Sequence, residues 1–405
     1  MIPHRRSGAL SVCFAWSLFC RSIMNGRQAI KVLLSAGMIQ GGRSGVGRYV
    51  IALADALLDR GIDLHIAGLD SDREHFPKIT AAQWVSIPES ARGGAKNLLW
   101  HQAMLPGLVK RGGYDVVHIP SYRRMMMSCP TAQVATIHDC APFILADKYD
   151  ALRGFFGRKI VPWIARRMDR VIAVSATAGE DIQRYLRVNE ENLRVIPNGI
   201  DHSCFQPPPA MQLEQFRKKH QLAKPYLIYI ARFEHPAKNH VRLIEAFGRF
   251  LEAGGSDWEL VLGGAPWHGK EVIDEACERS AHRESIRMVG FVDDDELPLW
   301  YSAAEALAFP SLMEGFGFPV IEAQACGTLV VASDATSLRE INGPAAIRFD
   351  PMSVDSIFEA LTLLGGLSPE ERALRVKQGI EWAAQYRWDN VAERCEAVYR
   401  EVADG

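Results

Sequence analysis

Apolar and polar positions along the chain follow two rhythms that take turns. Short apolar runs alternate with longer stretches in which apolar side chains recur every three or four residues. Residues 30–36 (IKVLLSA) read as a buried strand. Helical spacing follows, with Val46, Val50, Leu53 and Leu57 on one face and Gly61 as the stop. Further strands are predicted at 64–67, 116–119, 134–137, 171–174 and 194–196, with helical stretches between most of them. Such alternation implies an α/β fold with parallel strands and right-handed crossovers. The pattern breaks at 197–209, where Asn198-Gly199 is a turn signal and Pro207, Pro208 and Pro209 stand in a row. A second series follows this candidate linker, with strands at 226–231, 259–262, 286–289, 306–309 and 329–332. One of its helices carries Leu243, Ile244, Phe247 and Leu251, and the chain finishes with a helix over 389–403. Two α/β units of similar size imply a ligand cleft between them, where the carboxyl ends of both sets of strands converge.

Length supports the division, since 405 residues exceed one comfortable hydrophobic core. With 48% hydrophobic and 23% charged residues the composition is that of a soluble globular protein. A net charge of -2 argues against a dedicated nucleic-acid binder. Eight cysteines, at 13, 20, 129, 140, 204, 277, 326 and 395, include no Cys-x-x-Cys pair, which suits a reduced cytoplasmic compartment better than disulfides or zinc. Arg5 and Arg6 precede an apolar run over 9–20, which has the form of a weak signal peptide but lacks a small-residue cleavage site. Residues 1–23 are therefore read as an extension outside the fold, with export as the other reading. No stretch is long and apolar enough to predict a transmembrane helix.

Four places concentrate chemistry. The loop Gly41-Gly42-Arg43-Ser44-Gly45-Val46-Gly47-Arg48 follows the first strand and opens a helix. Its glycines permit close backbone approach, and the helix N-terminus offers N–H groups to an anion. Its glycine order differs from the dinucleotide-binding G-x-G-x-x-G, and a plain strand-to-helix turn is the other reading. Thr136-Ile137-His138-Asp139 ends a strand, where cleft residues belong. His138 there is either a donor to a sugar hydroxyl or a hydrogen-bonded core histidine. Arg232, Lys238 and Asn239 follow the first strand of the second unit, where two cations beside a helix N-terminus suit a diphosphate. Finally, Glu314 and Glu322 bracket Gly315-Phe316-Gly317-Phe318-Pro319, giving Glu-x7-Glu. With Pro319 at the first helical position, Glu322 is expected in the first turn and Glu314 on the loop ahead of it. Carboxylates accept hydrogen bonds from paired hydroxyls, so the motif suits diol recognition; Glu322 would also favour the helix dipole.

In this order the pieces carry a resemblance. Together with Val174-Ser175 and Pro197-Asn198-Gly199-Ile200-Asp201, they make the chain, over residues 30–400, resemble the retaining GT-B glycosyltransferases of the GT4 type. The resemblance implies two Rossmann-like domains with parallel sheets facing a central cleft. An acceptor domain would span 24–204, a nucleotide-sugar domain 205–385, and a C-terminal helix over 386–405 would cross back to the first domain. Arg232 and Lys238 would hold the donor pyrophosphate, with Asn239 beside them. Glu322 would bind the ribose. Glu314 and the backbone of Gly315, Phe316 and Gly317 would hold the donor sugar. Gly42, Ser44 and Gly45 would approach the phosphates, while Gly41, Arg43 and Asp139 would face the acceptor. His138 would contact the sugar near the reacting carbon, so His138, Glu314, Arg232 and Lys238 form the implied catalytic set.

The implied reaction moves a mannosyl or glucosyl group, with retention, from GDP-mannose or UDP-glucose to a glycan or lipid-linked glycan hydroxyl in cell-surface polysaccharide synthesis. No cofactor or metal is implied. Asp293-Asp294-Asp295 precedes a helix expected near Glu296 and reads as its N-cap, not as a metal site. A nucleotide-sugar 2-epimerase, a phosphorylase and a non-catalytic sugar-nucleotide-binding subunit are the rival readings. A nicotinamide-dependent enzyme is disfavoured because no Tyr-x-x-x-Lys occurs. Residues 151–170 place Phe155, Phe156, Ile160, Trp163 and Ile164 at helical spacing among six basic residues. This reads either as an amphipathic helix touching the inner face of a membrane or as an ordinary core-facing helix.

Overall fold

The computed structural model describes residues 29–39, 41–42, 44–144, 156–254 and 257–404. The proposed extension over 1–23, Arg43 and residues 151–155 lie outside them. The first unit is a seven-stranded sheet, built from β1 (Lys31–Ser35), β2 (Asp63–Leu69), β3 (Trp84–Ile87), β4 (Val116–Ile119), β5 (Ala132–Ile137), β6 (Arg170–Ala173) and β7 (Leu193–Val195). Its order is β3-β2-β1-β4-β5-β6-β7, with every pair parallel. The second unit is a six-stranded sheet of β8 (Tyr226–Ile230), β9 (Glu259–Gly263), β10 (Ile286–Gly290), β11 (Ala306–Phe309), β12 (Leu329–Ser333) and β13 (Ile347–Phe349). It runs β10-β9-β8-β11-β12-β13, again all parallel. Strands such as β8 (YLIYI) and β12 (LVVAS) are buried almost throughout, because helices cover both faces of a parallel sheet.

Strand order reverses between β1 and β4 in one sheet and between β8 and β11 in the other. Crevices open at the carboxyl ends of strands at such switch points, and ligands bind there. The helices that matter for the site are α1 (Gly45–Asp59), α2 (Gly94–Ala103), α3 (Ala176–Asp181), α4 (His240–Glu252), α5 (Leu297–Ala303), α6 (Phe318–Ala325), α7 (Leu338–Ile341) and α8 (Trp388–Ala403). Helix α1 begins where the Ser44 hydroxyl accepts the Gly47 N–H at 3.0 Å, and it buries Val50, Leu53 and Leu57.

The chain passes twice between the two units. The passes are tied where the Ile200 N–H donates to the Tyr386 carbonyl at 3.0 Å. A side chain at Gly199 would strike the Trp388 backbone, so only glycine lets the two segments lie this close. After the second pass, α8 packs on α1, sharing a core in which Val391, Cys395, Val398 and Tyr399 meet Tyr49, Val50 and Leu53. The basic segment is not one continuous helix over its described part. A π-helical turn, Phe156–Ile160, leads into a short helix, Val161–Ala165. Val161, Ile164 and Met168 are buried, while Trp163 is exposed with the Arg167 guanidinium 3.7 Å from its ring centre.

Candidate active site

The loop after β8 carries the two cations. Lys238 is largely buried, and its Nζ donates to Glu314 Oε1 at 2.6 Å. Arg232 is half exposed, lies over the Trp267 ring and pairs with buried Glu234 at 3.1 Å. Glu314 sits on the loop after β11, the neighbour of β8, so the reversal of strand order is what brings it to Lys238. Its position is fixed from beneath. The Glu314 N–H donates to Thr336 Oγ1, and the Ser337 hydroxyl meets the carbonyls of Glu314 and Phe316, both at 2.9 Å. Thr336 holds φ at 50°, a left-handed conformation unusual for a β-branched residue.

Glu322 departs from the position read in the sequence. Helix α6 starts at Phe318, so Glu322 is its fifth residue, in the second turn and away from the free N–H groups of the first. It is buried. Oε2 accepts from the Tyr301 hydroxyl at 3.2 Å, and Oε1 accepts from Arg48 Nη1 at 3.1 Å. Burial raises its pKa, against the opposing pull of Arg48 and Tyr301.

Arg48 projects from α1 on the other side of the cleft, and its Nη2 also reaches Asp294 at 2.8 Å. The two facing carboxylates overcome the effect of burial and raise its pKa. Asp294 is thus a cleft residue, not a helix cap. Helix α5 starts at Leu297 with no side-chain cap, and the Asp293 carbonyl takes the N–H groups of Glu296 and Leu297 instead. The sequence motif contained Arg48 but gave it no partner, because its partners lie in the other unit.

The loop after β5 presents His138. The ring is buried, packs edge-on against Tyr49 at 4.8 Å and bonds to the Pro120 carbonyl, while Nε2 has no partner among the described residues. Burial lowers its pKa to about 4, so the imidazole is neutral at physiological pH. A side chain on Gly315 would collide with the His138 carbonyl oxygen, so the two motifs touch backbone to backbone. Ser175 seals this contact, its hydroxyl donating to the Gly315 carbonyl at 2.8 Å.

A cleft of about 820 Å³ runs along the Arg48 side, lined by Gly41, Gly42, Arg48, Asp294, Phe318 and Glu322 among others. Lys238, Glu314 and His138 are not in its wall; there the two units are already in contact. Gly41 and Gly42 adopt φ of 66° and 74° in that wall. Several motif side chains serve the scaffold instead. Ser44 caps α1, and Asp139 Oδ1 accepts the Ala141 N–H. Phe316 is buried against Phe318 and Tyr386, and its carbonyl accepts from the Ser337 hydroxyl. Asn239 is buried, and its amide donates to the Pro310 and Pro351 carbonyls at 3.0 and 2.8 Å. Its side chain is a brace between loops, bonded to Pro310, Pro351 and Arg242. Gly45 opens α1, and Gly317, at φ 111°, is the N-cap residue of α6. Among the described residues no group of three His, Cys, Asp or Glu is placed to hold a metal ion.

Residues 43–203 match the family described as Glycosyltransferase Family 4, and residues 211–380 match Glycosyl transferases group 1. The MMP alpha-(1->4)-mannosyltransferase of Mycolicibacterium hassiacum is 30% identical over 314 residues, covering 72% of each chain. The chain belongs to the GT4-type glycosyltransferases. The O-antigen chain mannosyltransferase B of Escherichia coli is 28% identical over 268 residues, 66% of this chain and 70% of that one. In fold, the glycosyltransferase matches Anabaena Alr3699/HepE, solved in complex with UDP and glucose, with a TM-score of 0.72, 17% identity and coverage of 92% and 100%. The two facing sheets are the GT-B architecture, and the enzyme is a hexosyltransferase of glycan synthesis. No helix among the described residues is long and apolar enough to cross a membrane.

Proposed function

We propose that this glycosyltransferase moves a mannosyl group, or failing that a glucosyl group, from a nucleotide diphosphate sugar to a hydroxyl of a glycan or lipid-linked glycan in cell-surface polysaccharide synthesis, with retention at the anomeric carbon and without a metal ion. The observation that carries the reading is the Lys238–Glu314 pair, 2.6 Å apart and directly beneath the contact of Gly315 with His138. It sets a cation suited to a leaving diphosphate one hydrogen bond from a carboxylate suited to sugar hydroxyls, at the face of the other domain.

In this reading Lys238 and Arg232 stabilise the charge that grows on the departing nucleoside diphosphate, and Glu314 orients the sugar. Glu322 takes the ribose diol, for which the sugar must displace Arg48 from Oε1. Neutral His138 donates its one N–H to the Pro120 carbonyl, so Nε2 accepts from a sugar hydroxyl beside the reacting carbon, and the ring takes no proton from the acceptor at physiological pH. Among the described residues no side chain is placed as an obvious nucleophile, and the family resemblance favours attack by the acceptor on the face the diphosphate leaves. Mannose is favoured because the mannosyltransferases cited above are among the relatives. Exposed Trp163, Arg166 and Arg167 support peripheral contact with the inner membrane face near a lipid-linked acceptor.

A thermal-shift screen of the full chain against UDP, GDP, ADP, NAD and their sugar conjugates, with and without EDTA, tests the donor half. A nucleoside diphosphate at about 100 times its Kd should stabilise the fold by about 2.7 kcal/mol. The expected result is a shift with one nucleoside diphosphate that EDTA leaves intact. A shift with NAD alone would overturn the reading, and one abolished by EDTA would overturn metal independence. NMR of the anomeric proton in the product then reads retention or inversion.

A further inference from the structure

The loop after β4 holds a buried cation with no counter-charge among the described residues. Arg124 is 8% exposed. Its Nε donates to Asn97 Oδ1 at 2.6 Å, and its Nη1 makes only a long contact, 3.5 Å, with the Arg123 carbonyl. No carboxylate among the described residues pairs with it. Burial, with the nearby Arg123 cation, lowers its pKa to about 10, so it stays charged at neutral pH. Nη2 has no hydrogen bond among the described residues, yet it is not sealed from solvent. A charge withdrawn from water is costly unless something pairs with it.

The surroundings hold this guanidinium in place without neutralising it. Asn97 and His101, both on α2, are buried. His101 Nδ1 lies 2.8 Å from the Asn97 carbonyl and Nε2 lies 2.7 Å from the hydroxyl of Ser35, the last residue of β1. Burial keeps the His101 imidazole neutral, with a pKa of about 4. The Asn97 amide nitrogen is buried and unpartnered. The cluster therefore presents donors and no acid.

Its place in the fold is a switch point, where ligands bind in open parallel sheets. Strands β1 and β4 are neighbours at the switch point of the first sheet; Ser35 ends β1, and Arg124 lies beyond the carboxyl end of β4. The same loop begins at Pro120, whose carbonyl holds the His138 ring. Arg124 is thus on the acceptor half, in the loop that also supports the reacting centre, while the donor cations Arg232 and Lys238 are on the other half.

We propose that Arg124 is an anion-binding residue of the acceptor subsite and that the acceptor carries a phosphate group near the hydroxyl that is glycosylated. This rests on the transferase reading above. A guanidinium fork matches phosphate oxygens. The phosphate belongs either to a soluble sugar phosphate or to a lipid-linked glycan.

The test uses the full chain with the donor site saturated by whichever nucleoside diphosphate binds. Inorganic phosphate is then titrated calorimetrically, and transfer is compared between methyl mannoside, mannose phosphates and a mannosyl phosphate carrying a dodecyl chain. The wild type is expected to bind phosphate and to favour phosphorylated acceptors. Arg124→Gln should weaken phosphate binding and raise KM for the phosphorylated acceptor by about tenfold or more. Arg124→Lys should recover part of that loss in KM, which a purely structural role would not produce. Preference for the soluble or the alkylated phosphate identifies the source. Equal use of phosphorylated and plain acceptors, or phosphate binding indifferent to Arg124→Gln, overturns the proposal even if both variants are hard to fold, since the acceptor comparison needs only the wild type. Absence of any nucleoside diphosphate binding would instead strike the transferase reading.

Discussion

Asn239 illustrates a motif side chain committed to the scaffold. Its amide ties two loop carbonyls, those of Pro310 and Pro351, and its oxygen accepts from Arg242, all from a backbone at φ 58°. Asn239→Ala leaves both carbonyls unpaired and puts alanine in a left-handed conformation. The expected destabilisation is about 2–4 kcal/mol, read by urea denaturation. Lys238→Met acts on the chemistry: turnover should fall by a factor on the order of 10²–10³, measured as the transfer rate with saturating donor. A third residue-scale effect concerns pH. Burial lowers the pKa of His101 and His138 to about 4 and of His118 and His240 to about 3. As pH drops below about 6.5 the unfolded chain takes up protons at these sites and the folded chain does not, so stability is lost toward about pH 4. Each such histidine contributes a slope on the order of 1 kcal/mol per pH unit in that window. His118 is bonded to Thr136 and Tyr399. His118→Gln, which can keep a polar contact there, should flatten the dependence of unfolding free energy on pH between about 4 and 6.

At the scale of elements, what could be read in the sequence was what local patterning controls. Central strands such as β8 and β12 are continuous apolar runs because both faces are covered, and they stood out. Strands β3 (WVSI) and β13 (IRF) went unread, since they are short edge strands with Ser86 and Arg348 exposed within them. The Glu-x7-Glu spacing was legible, but the start of α6 was not fixed to the residue, and that shift moves Glu322 from the helix mouth to a buried seat under Tyr301. Asp294 was misread for a different reason. Its partner Arg48 is 246 residues away in the chain, and no window of sequence contains both. Arg124 and Asn97 are only 27 residues apart, on the loop after β4 and on α2, but no motif or periodicity links them. Helix α1 carries Arg48 in its first turn, so its cap is an element-scale lever. Ser44→Ala should cost about 1 kcal/mol in a denaturation experiment, and Ser44→Asp should restore most of it.

The whole molecule joins its halves across the cleft at a small set of polar contacts: Arg48 with Glu322 and Asp294, Ser175 with Gly315, and Glu340 with the start of α3. The last is the cleanest probe of closure. Glu340, on α7 of the nucleotide domain, accepts the N–H groups of Ala176 and Thr177 at 3.0 Å each, a carboxylate set against a helix N-terminus. It is bonded neither to the Lys238–Glu314 pair nor to Glu322. If catalysis requires the acceptor domain to be held against the donor domain, Glu340→Ala should lower kcat by about 5- to 30-fold, the equivalent of about 1–2 kcal/mol. Binding of the nucleoside diphosphate, whose direct contacts in this reading are Arg232, Lys238 and Glu322 of the donor domain, should then stay within about twofold of the wild type. Glu340→Gln retains one acceptor oxygen and should fall between the two. The opposite pattern, weaker nucleotide binding at unchanged kcat, would assign Glu340 to the support of its own loop, where Thr336 and Ser337 position Glu314. Closure would then rest on Arg48 and Ser175.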